Sequence, residues 1–244
     1  MNPGTLEEAK TIAKKTRKAA AALQRTEAVI CPPAVFTTAC APKKKEAHFH
    51  MGAQTSSFEE GGPHTGEISA SMLRDVGVEY CIVGHSEERA AGDTDLTVSK
   101  RIKAILDRGI HAVVCVGEKT RDNDSGSHFD FLKEQMKATF TDVPNKYASD
   151  IVMAYEPVWA IGAKEAMNPE QIYEMTLFVK KVFADIFGQA SAMKVPVLYG
   201  GSVNFRNAGD IVKIGQVDGL LVGRESVNIP GFIELLKAVD KIES

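Results

Sequence analysis

The sequence predicts an α/β fold: a (β/α)8 barrel lacking its first β-strand, with seven strands set against eight helices. Three observations carry this reading. Short apolar, β-branched runs alternate with amphipathic segments along the whole chain, which is the pattern of β/α units around a buried parallel sheet. No low-complexity tract or Pro/Ser-rich linker interrupts the alternation, so residues 1–244 read as a single domain. The chain also opens on a helix with no strand before it, although a crossover helix normally covers the strand that precedes it.

The elements follow in order. Thr5-Leu6-Glu7-Glu8 has capping-box form, and Leu6, Ala9, Ile12, Ala13, Ala20 and Leu23 recur at helical spacing, which predicts a helix over about residues 5–24. Strands are expected at Ala28–Cys31, Phe49–Gly52, Tyr80–Val83, Ala112–Val116, Ile151–Ala154, Val195–Tyr199 and Leu220–Val222. Between them, Asp95–Arg108, Phe131–Phe140, Pro169–Phe187 and Ile229–Ile242 are amphipathic at helical period. Leaving out the first strand exposes two sheet edges, at residues 28–31 and 220–222.

Composition bounds the function classes. A chain of 244 residues with 44% apolar content buries a sizeable core, and α/β barrels of this size are commonly one domain. The 29 basic residues against 32 acidic ones leave no polyanion-binding surface, so nucleic acid is not an expected partner. No stretch reaches the ~20 apolar residues of a membrane span, and the N-terminal segment is a charged helix rather than a signal peptide. A cytoplasmic protein without membrane contact is expected. Cys31, Cys40, Cys81 and Cys115 lack CxxC spacing and sit in or beside apolar strands, as reduced packing residues do. His48 and His50 alternate along a strand without the partner set of a metal site.

Chemistry gathers where the strands end. Their C-terminal ends deliver Cys31-Pro32-Pro33, Gly52-Ala53-Gln54, Gly84-His85-Ser86-Glu87, Gly117-Glu118, Tyr155-Glu156-Pro157, Gly200-Gly201-Ser202 and Gly223-Arg224 to one rim. In a β/α barrel that rim carries the active site. An open doubly wound sheet also binds ligands there, but it does not predict polar delivery from nearly every strand. Ser86-Glu87-Glu88 has the composition of a short helix start, whose dipole keeps the His85 imidazole neutral and able to polarise a carbonyl. Glu156 follows an apolar strand and precedes Pro157, where exclusion of water raises a carboxyl toward a useful base. Gly200-Gly201-Ser202 offers amides and a hydroxyl suited to a phosphate. Taken singly each has an ordinary reading: a hydrogen-bonded packing histidine, a salt-bridging glutamate, a tight turn. Together they place a base, an electrophile and an anion cradle on one rim.

Several ordered motifs then resemble the triosephosphate isomerase family. They are Met1-Asn2, Gly52-Ala53-Gln54, Thr65-Gly66-Glu67-Ile68-Ser69, Gly84-His85-Ser86-Glu87, Cys115-Val116-Gly117-Glu118, Ala154 to Gly162, Tyr199-Gly200-Gly201-Ser202-Val203 and Leu221-Val222-Gly223. The resemblance covers nearly the whole chain and implies a TIM barrel. That family is itself the standard worked case of a carboxylate base beside a neutral histidine electrophile. It implies that Glu156 is the base and His85 the electrophile. It also implies that Ser86 holds the glutamate away before substrate binds and that Glu87 is a supporting carboxylate. Gly162, Ser202 and Gly223 match phosphate-loop positions, and Arg224, where the last phosphate loop usually has a second glycine, is expected with them among the phosphate-binding residues. The implied substrate is a small phosphorylated triose, with no metal and no organic cofactor. Gly62-Pro63-His64-Thr65-Gly66-Glu67 resembles a loop that inserts into a second subunit, which implies a homodimer.

The resemblance also marks departures. The family's first strand ends in Asn-x-Lys-Met-Asn, and this sequence carries only its Met1-Asn2 end, a truncated N-terminus relative to that pattern. An active isomerase is expected to need the longer chain or a substitute cation, for which Arg224 and Lys164 are the candidates, the latter in the segment after Trp159, Gly162-Ala163-Lys164-Glu165-Ala166-Met167, that matches the family's lid; both also read as ordinary solvent-facing side chains. Glu88 replaces a usual arginine behind His85, and the segment Arg89-Ala90-Ala91-Gly92-Asp93 is short. Two functions follow: an isomerase of triose phosphates, or a catalytically impaired homologue that binds small phosphorylated ligands or acts as a structural partner.

Overall fold

The computed structural model describes residues 1–121 and 126–242. Its seven strands are β1 (Ala28–Ile30), β2 (Phe49–Ala53), β3 (Tyr80–Val83), β4 (His111–Val116), β5 (Ile151–Tyr155), β6 (Val197–Gly200) and β7 (Gly219–Leu221). They form one parallel sheet in chain order, each strand pairing with the next, curled into a partial barrel. The expected seven strands are all present within one or two residues. β6 begins two residues late because Pro196 has no N–H for the ladder, although its carbonyl still accepts from Met153.

Eight helices match the expected series: α1 (Leu6–Ala20), α2 (Ala34–Cys40), α3 (Ala70–Asp75), α5 (Asp95–Asp107), α6 (Ser127–Thr139), α7 (Pro169–Phe187), α9 (Ala208–Gly215) and α10 (Ile229–Asp240). Two short ones join them, α4 (Ser86–Ala91) and α8 (Gln189–Ala192). The first is nucleated by His85 as its cap, and the second follows Gly188, whose φ of 87° breaks the run of α7. Helix α1 is capped by Thr5 as its capping-box pattern predicts, but it stops at Ala20 rather than near residue 24. Its end tightens into i→i+3 bonds, Ala22 to Ala19 and Leu23 to Ala20, which still bury Leu23.

The barrel leaves β1 and β7 as sheet edges, since each has a single strand partner among the described residues. Outside the gap, α1 packs on α2 and α10, and Ala9, Ala13, Ile30, Phe49, Phe232 and Leu236 share one apolar cluster. Inside it, the inward side chains Ile82, Val152, Leu198 and Leu221 are only partly buried around Val113, Cys115 and Ala154. The helical jacket therefore closes while the sheet does not. No helix among the described residues is long and apolar enough to cross a membrane.

Candidate active site

Glycines set the stage for the two principal side chains. At the end of β3, Gly84 has φ 70°, and a Cβ there would lie 3.0 Å from Arg89 and Val98 and 3.2 Å from the Cys115 carbonyl. A side chain has neither the conformation nor the room. His85 follows and caps α4, its Nδ1 accepting the Glu87 N–H at 3.3 Å. At the end of β4, a Cβ on Gly117 would fall 1.8 Å from the Glu156 carbonyl, and at the end of β6 one on Gly200 would fall 2.7 Å from Glu156 Cγ. Glu156 thus occupies a slot that two neighbouring strands open by lacking side chains.

The slot brings carboxylate and imidazole together. His85 Nε2 lies 3.3 Å from Glu156 Oε1. Glu156 is 4% exposed, and its Oε2 is buried without a hydrogen-bond partner. An unmet acceptor on a buried carboxylate is costly to keep, on the order of 1–3 kcal/mol or more, and such groups gather at working sites. The carboxylate and burial together push the neighbouring Cys115 thiol well above its ordinary range, so that cysteine stays a protonated packing residue. For His85 the two ring nitrogens feel opposite influences. Its hydrogen bond with Glu156 raises the imidazole pKa above the ordinary 6.5, against the lowering effect of burial. At Nδ1, accepting an amide requires the unprotonated nitrogen, so the neutral tautomer carries its hydrogen on Nε2, toward Glu156. The expectation of a neutral imidazole thus meets a nearby carboxylate pulling the other way.

Around this pair the remaining residues fall into two groups. Ser86 and Glu87 lie in the first turn of α4; Ser86 makes no hydrogen bond to Glu156 here, because the carboxylate faces His85, and Glu87 is exposed with its charge favouring imidazolium. At the end of β6, Ser202 Oγ donates to the carbonyls of Ala160 at 3.0 Å and Ala163 at 2.7 Å, bracketing Gly162 at φ 72°. Gly223 precedes a short 3-10 turn over Arg224–Val227, and Ser226 donates to its carbonyl. Arg224 turns toward the lid: its Nη2 is 3.3 Å from where a Cβ on Gly162 would stand. Lys164, the other cation considered, is exposed and forms no hydrogen bond or ion pair among the described residues.

Sequence reasoning missed the supports beneath the rim. Arg89 donates to the Gly84 carbonyl at 2.8 Å, to Asp95 at 2.6 Å and to Thr139 at 3.3 Å, so it fixes the backbone ahead of His85. Arg101 reaches Asp93 at 3.0 Å, Thr55 at 2.5 Å and Glu88 at 3.6 Å, and thereby braces the short segment 89–93 and uses the unusual Glu88. Glu118, 2% exposed, accepts from Tyr155 and from the lid's Trp159 Nε1, each at 2.9 Å. Tyr199 accepts the Met167 N–H at 3.0 Å and so holds the far end of the lid. Of these two arginines only Arg89, directly after Glu87-Glu88, has acidic neighbours in the sequence; Arg101 lies between Lys100 and Lys103 and carries no such signal. The tyrosines read as strand core. His48 and His50 do not meet a common partner: His48 bonds the Thr26 carbonyl and His50 faces Glu79.

A parallel β/α barrel carrying one carboxylate and one imidazole in contact at the C-terminal rim, with a lid tied to the next strand's serine, belongs to the class of β/α-barrel enzymes. The sequence pattern of triosephosphate isomerase matches residues 1–239. A triosephosphate isomerase of Endomicrobium trichonymphae is 38% identical over 234 residues, covering 96% of this chain and 93% of the relative. One from Idiomarina loihiensis is 37% identical over 236 residues, covering 96% and 93%, and one from Dehalococcoides mccartyi is 36% identical over 234 residues, covering 96% and 92%. The chain belongs to the triosephosphate isomerase family.

Proposed function

We propose that this chain interconverts glycerone phosphate and D-glyceraldehyde 3-phosphate by proton transfer through an enediolate. The observation that carries the proposal is the buried Glu156 carboxylate, with one oxygen 3.3 Å from His85 Nε2 and the other unpartnered. In glycerone phosphate, Glu156 removes a proton from C1 as the C2 carbonyl oxygen takes up the electron pair. The resulting cis-enediolate carries its charge on O2; His85 Nε2–H gives that oxygen a proton and takes up the proton of the C1 hydroxyl, and as the O1 electron pair closes the C1 carbonyl Glu156 returns its proton to C2 to give the aldehyde. No atom leaves and no oxidation occurs, so an acid, a base and a preorganised polar site suffice. Substrate entering between His85 and Glu156 takes the carboxylate off the imidazole and removes the main influence favouring imidazolium. The Glu87 amide on Nδ1 then holds the neutral, donating form.

Gly162, Ser202 and Gly223 are assigned to the phosphate, which lid and strand-end groups surround. Ser86 is assigned to the carboxylate's resting position and Glu87 to support of the imidazole. The loop over residues 62–67 is exposed, as a loop reaching into a second subunit would be, which favours a homodimer; a cytoplasmic location belongs to the same reading. Glu156→Gln keeps the shape of the slot and removes the base. Its kcat should fall about 10²–10⁴-fold with KM little changed, measured in a steady-state isomerase assay; undiminished kcat overturns the assignment. A second reading, a phosphate-binding relative with little turnover, draws on the opening between β1 and β7, which leaves the barrel interior partly exposed. That reading predicts 2-phosphoglycolate binding without isomerase activity in the same preparation.

A further inference from the structure

We infer that Arg224 is a phosphate-binding side chain, so that this chain grips the phosphate with a guanidinium in addition to loop amides. The inference rests on the isomerase reading of the rim and goes beyond its three phosphate loops.

Three elements meet at one place. The lid after β5 contributes Gly162, at a φ open to glycine, and the end of β6 contributes Ser202, whose hydroxyl ties down the carbonyls on either side of that glycine. The end of β7 contributes Arg224, and its Nη2 stands 3.3 Å from the space a Cβ on Gly162 would fill. Arg224 is exposed, and its Nη2 stands close to the lid turn at Gly162.

The charge is also available. Among the described residues Arg224 has no ion-pair partner, whereas most of the molecule's other arginines are engaged, such as Arg17 with Glu46, Arg89 with Asp95 and Arg101 with Asp93. Its neighbour Glu225 accepts from Asn228 at 3.0 Å. The only other acid in the lid, Glu165, is exposed. A guanidinium presents a planar fork of donors that matches two phosphate oxygens, and it keeps its charge at every working pH. A dianionic phosphate ester seated against Gly162 and Ser202 would meet that fork directly. The same contact would tie the lid to β7, so ligand binding and lid closure would share one bond.

The test is calorimetric binding of 2-phosphoglycolate, with isomerase kinetics alongside, for the unmodified chain and for Arg224→Ala, Arg224→Lys and Lys164→Ala. Arg224→Ala should weaken binding about 10- to 100-fold, the size of a lost charge-assisted hydrogen bond, and raise KM by a similar factor. Arg224→Lys should recover part of the loss, since it restores the charge without the fork. Lys164→Ala, which removes an equal charge from the same lid, should change affinity less than about twofold. Binding by Arg224→Ala within about twofold of the unmodified chain overturns the inference and leaves the isomerase reading standing. An equal loss in Lys164→Ala also overturns it, because the effect is then general attraction. If the unmodified chain neither binds 2-phosphoglycolate nor isomerises, the reading of the whole rim falls, and this inference with it.

Discussion

His85 and Glu156 show how a pair of titratable groups carries information in both directions. The hydrogen bond to Glu156 raises the His85 pKa above 6.5, while burial lowers it. Replacing Glu156 by Gln removes the largest raising influence and leaves burial and the N-terminal charge opposed only by Glu87, so the His85 titration followed by NMR of the imidazole ring should move to lower pH. The sign for stability follows from linkage. A raised pKa means that the pair stabilises the fold fully below the unfolded imidazole's value and loses that contribution as pH rises through the folded value. The stability of the unmodified chain relative to Glu156→Gln should therefore be more favourable near about pH 5.5 than near about pH 8.5. An unchanged imidazole titration would show that the carboxylate does not face the ring in solution. The glycines around the pair matter as absences of side chain. Gly117 and Gly200 stand where a methyl group would strike the Glu156 backbone or side chain.

Elements are tied to each other at their ends by a few polar groups. Asp240, at the end of α10, accepts from the amides of Gln24 at 3.1 Å and of Arg25 and Thr26 at 2.9 Å, at the turn between α1 and β1. Burial is the largest single influence and raises this carboxyl, but the amides of Arg25, Thr26 and Gln24 and the Thr26 side chain together outweigh it and hold the pKa below its ordinary 3.8. Its contribution is thus present above that value and lost as pH falls through the depressed one. Because the site is open to water, the bonds are screened, and Asp240→Ala should cost about 1 kcal/mol at neutral pH. Urea unfolding at about pH 7 and at about pH 3 checks this, with the difference between the two proteins shrinking at the lower pH. Equal stabilities at neutral pH would show that the turn holds without its cap. The lid is tied in the same way, by Ser202 at one end and Tyr199 at the other.

At the scale of the molecule, the described strands form an open sheet of seven. β1 and β7 each keep one free edge among the described residues, and Leu198 and Leu221 are half-buried where a further strand would cover them. Extending this polypeptide ahead of Met1 with an apolar strand ending in Asn-x-Lys should pair both edges. We expect a rise in Tm of several degrees and an increase in kcat of about 10²-fold, the scale of a preorganised charge placed at the reacting centre. Unchanged Tm and kcat would show that the gap does not accept a strand. The same preparations report the assembly by light scattering, where a homodimer is expected.

The series of units was legible because burial on both faces of a parallel strand demands runs such as Ile151–Tyr155, and because α7 announces its start with Asn168-Pro169. The rim was legible because polar residues directly after such runs have one place to go. The supports beneath it were not. Arg89 and Arg101 act through partners up to 50 residues away in the chain, and no local pattern encodes such distances.

By itself, then, the sequence determined the order and direction of the elements, the rim on which polar groups collect and the family to which the chain belongs, because periodicity and motif spacing are local properties. Only the tertiary structure decided that Glu156 faces His85 rather than Ser86, that Arg224 stands close to Gly162 while Lys164 forms no ion pair among the described residues, and that α1 packs on α10 while β1 and β7 do not pair. These depend on which side chains share a space, and that is fixed by the packing of residues remote in the chain.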